Sequence, residues 1–86
     1  MKAAALVAWN LRRLRVKRGL SQEGLAAEAD VDRSYVGRLE RAEENPTIHV
    51  LERIAAVLDA KVIEFFREPL KNEPPPRPLP GGRRRN

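Results

Sequence analysis

The 86-residue sequence predicts an all-α protein, a compact bundle of five short helices followed by a C-terminal tail. Apolar residues recur at helical spacing through residues 1–68, capping residues separate these apolar runs, and nothing alternates as a strand does. The composition changes at Pro69, because six of the seven prolines lie in 69–86 together with an arginine run. We therefore expect a domain over 1–68 and a disordered or extended, Pro- and Arg-rich tail over 69–86, which has few apolar residues to offset the entropy of folding.

The first two helices are predicted from apolar spacing and capping residues. Val7, Leu11 and Leu14 recur at i, i+4 and i+7, and Gly19 supplies the left-handed residue that ends many helices. Ser21 is a favourable N-cap for a second helix, whose expected inward residues are Leu25, Ala26 and Ala29.

The third helix follows the second after a very short turn. Only Asp30 and Val31 separate Ala29 from the next expected N-cap, Asp32. Two helices joined so tightly cannot lie antiparallel, so they cross steeply. This spacing predicts a helix-turn-helix over residues 21–41.

Two further helices are expected after the helix-turn-helix. Thr47, which follows Asn45-Pro46, is the expected cap of a fourth helix with Val50 or Leu51, Ile54, Ala55 and Leu58 facing inward. A last short helix is expected around residues 62–67. Its Phe65 and Phe66 cannot both face inward, so one of them is a candidate for a dimer contact.

The net charge of +5 lies mostly outside the predicted domain. Residues 69–86 hold five basic residues and one acidic residue, so the domain itself carries a charge of only +1. Net charge therefore says little about the partner, which depends instead on where charges lie on the folded surface.

The predicted third helix has an apolar side and a basic side. At about 100° per residue, Val36 and Leu39 point towards one side, which we expect to be the core. The residues on the other side are short or basic, and they are Ser34, Gly37, Arg38 and Arg41, with Arg33 at the flank. Arginine can bridge two acceptors of guanine, serine can bond base or phosphate, and glycine permits close approach. Most charged helix faces are simply solvated, but the preceding tight turn favours the major groove of double-stranded DNA as the partner.

Residues 11–58 resemble the phage-repressor helix-turn-helix family (Cro/C1-like, or Xre-type). Three segments carry the resemblance: Leu-Ser-Gln-Glu at 20–23, Arg-Leu-Glu-Arg at 38–41 and Glu-Asn-Pro-Thr at 44–47. Their combination is specific, whereas Leu-Ser-Gln alone would not be. The resemblance implies a lambda-repressor-like domain that recognises a DNA sequence.

The resemblance also implies roles for particular residues. Arg33, Ser34 and Arg38 would stand where the family reads base edges. Gln22, at the start of the second helix, would bond a phosphate, which the positive end of that helix also favours. Tyr35 stands between core and groove, where buttressing by its ring and contact with a thymine methyl group are both open.

A further pair and four departures complete the comparison with the family pattern. Arg15 and Glu40 match an ion pair that ties the first helix to the third. Asp30 and Ala42 stand where glycine is usual, and two glycines, Gly24 and Gly37, lie inside helices at a cost of about 0.5–1 kcal/mol each relative to alanine. None of these departures removes a functional group, so they concern stability more than binding.

The first functional hypothesis is a repressor-like transcriptional regulator that binds a near-palindromic operator as a homodimer. Restriction-modification controllers, antitoxins and phage regulators are all open, and in the antitoxin case the tail from Lys71 would bind a toxin. Arg83, Arg84 and Arg85 could add phosphate contacts. The second hypothesis is a protein-interaction adapter that uses the bundle and the Pro-rich tail.

Other classes of function are disfavoured. The chain has no cysteine and a single histidine, His49, so neither a metal site nor a cofactor is expected. Its acidic pairs have no accompanying nucleophile, and we do not expect an enzyme. The apolar N-terminus, residues 3–9, is too short to span a membrane, so we expect a soluble cytoplasmic protein associated with the prokaryotic nucleoid.

Overall fold

The computed structural model describes residues 1–79, and this part of the chain is entirely helical apart from its turns and its C-terminal segment. The elements are α1 (Ala3–Arg18), α2 (Gln22–Ala29), α3 (Arg33–Glu40), α4 (Ile48–Val57) and a 3₁₀-helix, η1 (Val62–Phe66). The predicted all-α class is confirmed, with one difference. The fifth helix is a single tight 3₁₀ segment of five residues rather than an α-helix.

The predicted N-caps behave in two ways. Ser21 Oγ accepts a hydrogen bond from the Gly24 backbone N–H at 2.9 Å, and Thr47 Oγ1 accepts one from Val50 at 3.1 Å. Asp32 occupies the N-cap position of α3, but its carboxylate caps no backbone N–H. Instead it accepts a hydrogen bond from the Ser34 hydroxyl. The side chain of Asp32 therefore orders a neighbour on the surface rather than the end of the helix.

All four α-helices end with the same paired hydrogen bonds, a Schellman motif with a left-handed residue after the last turn. The left-handed residues are Gly19, Asp30, Ala42 and Asp59, with φ of 78°, 59°, 61° and 54°. In three cases the next residue is apolar and packs against the core: Leu20, Val31 and Ala60. Asp30 and Ala42, the two departures from glycine, thus stand in backbone that favours glycine.

The core is formed by one face of each helix. Leu11, Leu25, Val36 and Ile54 are at most 1% exposed, and Phe65 of η1 is fully buried beside them. Of the two adjacent phenylalanines, Phe65 is the inward one, whereas Phe66 is 42% exposed.

A buried asparagine, which sequence reasoning missed, joins η1 to α1. Asn10 is fully buried, and its Nδ2 donates to the backbone oxygens of Leu6, Phe65 and Arg67 at 2.8–3.0 Å. Its Oδ1 accepts from Arg13 Nε at 3.1 Å. No sequence signal marks Asn10 for this role, since the two partners at η1, Phe65 and Arg67, lie more than fifty residues away along the chain.

The prediction of a disordered tail is not confirmed over residues 69–79. Glu73, Pro76 and Leu79 are half-buried while the residues between them are exposed, a three-residue period that suits a polyproline II segment lying on a surface. An ion pair of 3.0 Å between Arg67 and Glu73 crosses the expected boundary at residue 68. The expected arginine run at 83–85 lies outside the described residues.

Replacing Ala42 by glycine is expected to raise the free energy of unfolding by up to about 1 kcal/mol, because alanine is strained at positive φ. The matched control is Ala27→Gly at an exposed position inside α2, where the same change should cost about 0.5–1 kcal/mol. Urea unfolding of both variants measures the two effects. Destabilisation by both substitutions would contradict the left-handed conformation at residue 42.

Candidate nucleic-acid interface

The turn between α2 and α3 is held by the rest of the fold. Val31 donates its N–H to Ala26 O at 3.0 Å and packs against the core, which sets where α3 begins. From α4, Arg53 Nη2 donates to Ala29 O at 2.7 Å and to Asp30 O. A guanidinium there satisfies carbonyls that a helix end leaves without partners. Sequence reasoning missed Arg53, because nothing in α4 itself indicates which helix end it faces.

The residues predicted for DNA contact come together on one surface. A shallow depression between α2 and α3 is lined by Gln22, Asp32, Arg33, Ser34, Gly37, Arg38 and Arg41. We call this surface the α3 face. It contains all the predicted base-reading and groove-facing residues except Tyr35. Asp32, expected only as an N-cap, is the one lining residue that was not predicted for DNA contact.

Tyr35 and Gly37 shape the surroundings of two arginines on the α3 face. Tyr35 packs against the core and its ring lies 5.8 Å from the guanidinium carbon of Arg38. Burial acts to raise the pKa of the Tyr35 phenol, and the net shift is upward. A Cβ on Gly37 would lie 3.2 Å from Arg41 Nη1, so glycine leaves room for that guanidinium. The ring of Tyr35 thus buttresses Arg38, and a thymine contact stays a prediction.

A buried carboxylate ties α1, α2 and α3 together. The Glu40 side chain is 1% exposed and accepts two hydrogen bonds from Arg15, one from Nε at 2.5 Å and one from Nη2 at 2.9 Å. Gln22 Nε2 donates to Glu40 Oε1 at 3.0 Å, and Arg12 Nε lies 3.3 Å from the same oxygen. Arg15 also donates to Leu20 O at 2.9 Å. The structure therefore contains the ion pair that the resemblance implied, enlarged by two partners.

The environment of Glu40 keeps it charged. Burial acts to raise the pKa of its carboxyl group, but hydrogen bonds from Arg15 and Gln22 and the charges of Arg15 and Arg12 outweigh burial and lower it below 4.5. Gln22, expected to bond a phosphate, uses one amide hydrogen on Glu40 and keeps the other without a partner among residues 1–79. Its phosphate contact stays a prediction.

Every arginine on the α3 face has a carboxylate partner. Arg38 Nε lies 2.6 Å from Glu44 Oε2, Arg41 Nε lies 3.2 Å from Glu43 Oε1, and Arg33 Nη1 lies 3.8 Å from Glu23 Oε2. The last two pairs are more than half exposed, so solvent and salt screen them. The α3 face therefore presents no unpaired arginine among residues 1–79.

The family follows from a match over most of the domain. Residues 11–65 match the model of the helix-turn-helix family HTH_3, which includes the α2–α3 unit and the whole α3 face. The chain belongs to the HTH_3 family.

Two curated HTH_3 relatives differ in how much of them the chain covers. A hypothetical transcription factor of Neisseria meningitidis is 37% identical over 65 residues, which are 76% of this chain and 61% of that protein. The control protein C.SmaI of Serratia marcescens is 38% identical over 74 residues, which are 85% of this chain and 88% of that protein. The chain thus spans less than two thirds of the first relative and most of the second.

A solved HTH_3 relative contains DNA. The restriction-modification controller protein C.Esp1396I, as a tetramer in complex with its natural 35-base-pair operator, superposes with a TM-score of 0.69 at 32% identity. The match covers 77% of this chain and 87% of that one. The fold that carries the α3 face is therefore shared with a protein that binds an operator.

Other kinds of site find no support in the described part of this HTH_3 chain. Within residues 1–79, no three His, Cys, Asp or Glu side chains lie close enough together to hold a metal ion. Over the same range, every helix is too short or too polar to cross a bilayer.

Replacing Glu40 by glutamine is expected to lower the free energy of unfolding by about 3 kcal/mol at pH 7, because it leaves the buried Arg15 charge unpaired. In the wild type, the contribution of the Glu40 carboxylate to the free energy of unfolding is complete above the ordinary pKa of 4.5. It is lost as the pH falls through the lower folded-state pKa. Glu40→Gln should therefore flatten the acid side of the stability profile. Urea unfolding from pH 7 to pH 3 measures both effects.

The matched control is Glu28→Gln on the exposed side of α2, which should leave stability and its pH dependence nearly unchanged. Equal profiles for the two variants would show that the Arg15–Glu40 pair contributes nothing to stability.

Proposed function

We propose that this protein is a sequence-specific regulator of transcription that places α3 in the major groove of double-stranded DNA. The observation that carries the proposal is the α3 face, where residues from two helices form one surface that no single helix presents. In this arrangement Arg33, Ser34 and Arg38 read base edges. Gln22 and Arg41 contact the DNA backbone and fix the register of α3.

The proposed regulator resembles restriction-modification controllers in particular. The chain covers most of C.SmaI, and the solved complex of C.Esp1396I contains an operator. We therefore propose a repressor-like protein that binds a near-palindromic operator as a homodimer, with recognition helices about 34 Å apart. A protein with this function acts on DNA in the cytoplasm, associated with the nucleoid, without catalysis and without a cofactor. A toxin bound through the tail from Lys71 stays a prediction.

An exposed apolar face on η1 is the proposed dimer surface. A 3₁₀-helix has about three residues per turn, so residues three apart are eclipsed. Val62 and Phe65 therefore share the inward face, and Ile63 and Phe66 share the outward face, where they are 74% and 42% exposed. We propose that a second copy of this chain covers Ile63 and Phe66, since an apolar pair gains most from burial.

The base-reading proposal is tested by Arg33→Ala and Arg38→Ala. Operator DNA is first obtained by selecting bound duplexes from a random pool with the wild-type protein. Each substitution should weaken operator binding roughly tenfold to a hundredfold, because a lost bidentate contact to a base discriminates by about that factor. Binding to random-sequence duplex should change much less. The control is Arg18→Ala, since Arg18 lies at the end of α1 and outside the α3 face. This variant should show no selective loss of operator binding.

Two outcomes would overturn this proposal in different ways. Equal losses on operator and random DNA would show that Arg33 and Arg38 contact only the DNA backbone. Failure of the wild-type protein to bind any duplex at moderate salt would instead favour the protein-interaction adapter.

The dimer surface is tested by the double substitution Ile63→Ser and Phe66→Ser. Sedimentation velocity should show a dimer for the wild type and a monomer for the variant, which keeps the inward-facing Val62 and Phe65 and so its fold. The matched variant is Ile48→Ser on α4, where another isoleucine is 71% exposed. A monomer only after Ile48→Ser would place the interface on α4 instead.

A further inference from the structure

Glu44 holds Arg38 more closely than any other carboxylate holds an arginine on the α3 face. The Arg38–Glu44 separation is 2.6 Å, against 3.2 Å for Arg41–Glu43 and 3.8 Å for Arg33–Glu23. This pair is also the least exposed of the three, because the Glu44 side chain is 28% exposed and that of Arg38 is 40% exposed. Glu44 lies beyond α3, in the connection to α4, so the contact depends on how that connection folds back.

Other groups complete the support of the Arg38 guanidinium. Its Nη1 donates to Ser34 Oγ at 3.2 Å, and the hydroxyl of Ser34 in turn donates to Asp32. The Tyr35 ring lies beneath it at 5.8 Å. Arg38 is thus held in one orientation by a carboxylate, a hydroxyl and an aromatic ring.

This support uses only part of what Arg38 can do. A guanidinium has more N–H donors than Glu44 and Ser34 occupy, and those that remain can still bridge two acceptors of guanine. The adjacent negative charge has a different effect on phosphates. It offsets the arginine charge, and phosphate contacts depend mainly on charge whereas base contacts depend on hydrogen-bond geometry.

We propose that Glu44 is a positioning residue that determines specificity, because it presents Arg38 to a base edge and withholds it from phosphates. The inference rests on the proposed function, in which Arg38 reads a base. The inference adds a physical reason why Arg38 discriminates operator from other DNA. Glu43 differs, since it holds an exposed arginine, Arg41, at longer range. It acts on Arg38 only through its charge, without a hydrogen bond to it among residues 1–79.

The test compares Glu44→Ala with its neighbour Glu43→Ala, which removes the same charge one residue earlier. Binding is measured on selected operator and on random-sequence duplex over a range of salt concentrations. For Glu44→Ala, the ratio of operator to random affinity should fall roughly tenfold, since Arg38 loses its fixed orientation. The salt slope on random DNA should steepen by about 0.9, as expected for one added phosphate contact. For Glu43→Ala, both affinities should rise by a similar factor, with the ratio unchanged.

Two further variants show whether Glu44 acts through Arg38. Glu44→Gln keeps an oxygen that can accept from Arg38 Nε, so it should retain part of the ratio. In an Arg38→Ala background, adding Glu44→Ala should leave the ratio unchanged. Thermal melting checks that all variants are folded. We expect them to fold, because the Arg38–Glu44 pair is partly exposed and its loss leaves the core intact.

The outcomes separate this inference from the function on which it rests. If Arg38→Ala lowers the ratio but Glu44→Ala behaves like Glu43→Ala, the role of Glu44 is overturned while base reading by Arg38 stands. If Glu44→Ala lowers the ratio equally with and without Arg38, Glu44 acts by another route and the inference is overturned. If Arg38→Ala leaves the ratio unchanged, Arg38 reads no base and both are overturned.

Discussion

The structure depends on a carboxylate that is almost completely buried. Glu40 belongs to α3, yet its partners come from α1 and α2, so three helices converge on one charged group. A buried charge is tolerated only when its partners satisfy it, and removal of either partner of such a pair is far more costly than loss of an exposed pair. The geometry of these bonds therefore fixes the rotation of α3 about its own axis. That rotation in turn makes Arg38 and Arg41, which flank Glu40 along the chain, face outward.

The surface so positioned is not simply positive. Its arginines are paired with glutamates, and the described domain has little excess charge. A surface of this kind gains less from non-specific attraction to phosphates than an unpaired basic patch would. If the protein acts as proposed, discrimination between DNA sequences depends on how well the side chains are oriented before DNA arrives. Arg38, held by Glu44, Ser34 and Tyr35, is the most completely oriented of them.

Most predictions that depended on nearby residues agree with the structure, because the interactions concerned are local. Ser21 and Thr47 cap their own helices, and Gly19 ends α1 in a left-handed conformation. The outward side of α3 followed from helical periodicity alone, once Val36 and Leu39 were taken as core residues. The prediction for the capping side chain of Asp32 failed where a second local partner, the Ser34 hydroxyl, competes for it.

By itself, the sequence determined the helical class, the tight turn between α2 and α3, and which residues of α3 face away from the core. These follow from caps, spacing and periodicity, which act over a few residues. Only the tertiary structure decided that Asn10 would hold η1, that Arg53 would cap α2, and that Glu44 would hold Arg38. It also decided that residues 75–79 lie beside α1. Each of these contacts joins side chains to groups whose direction is set by the packing of other elements, and no local pattern records that direction.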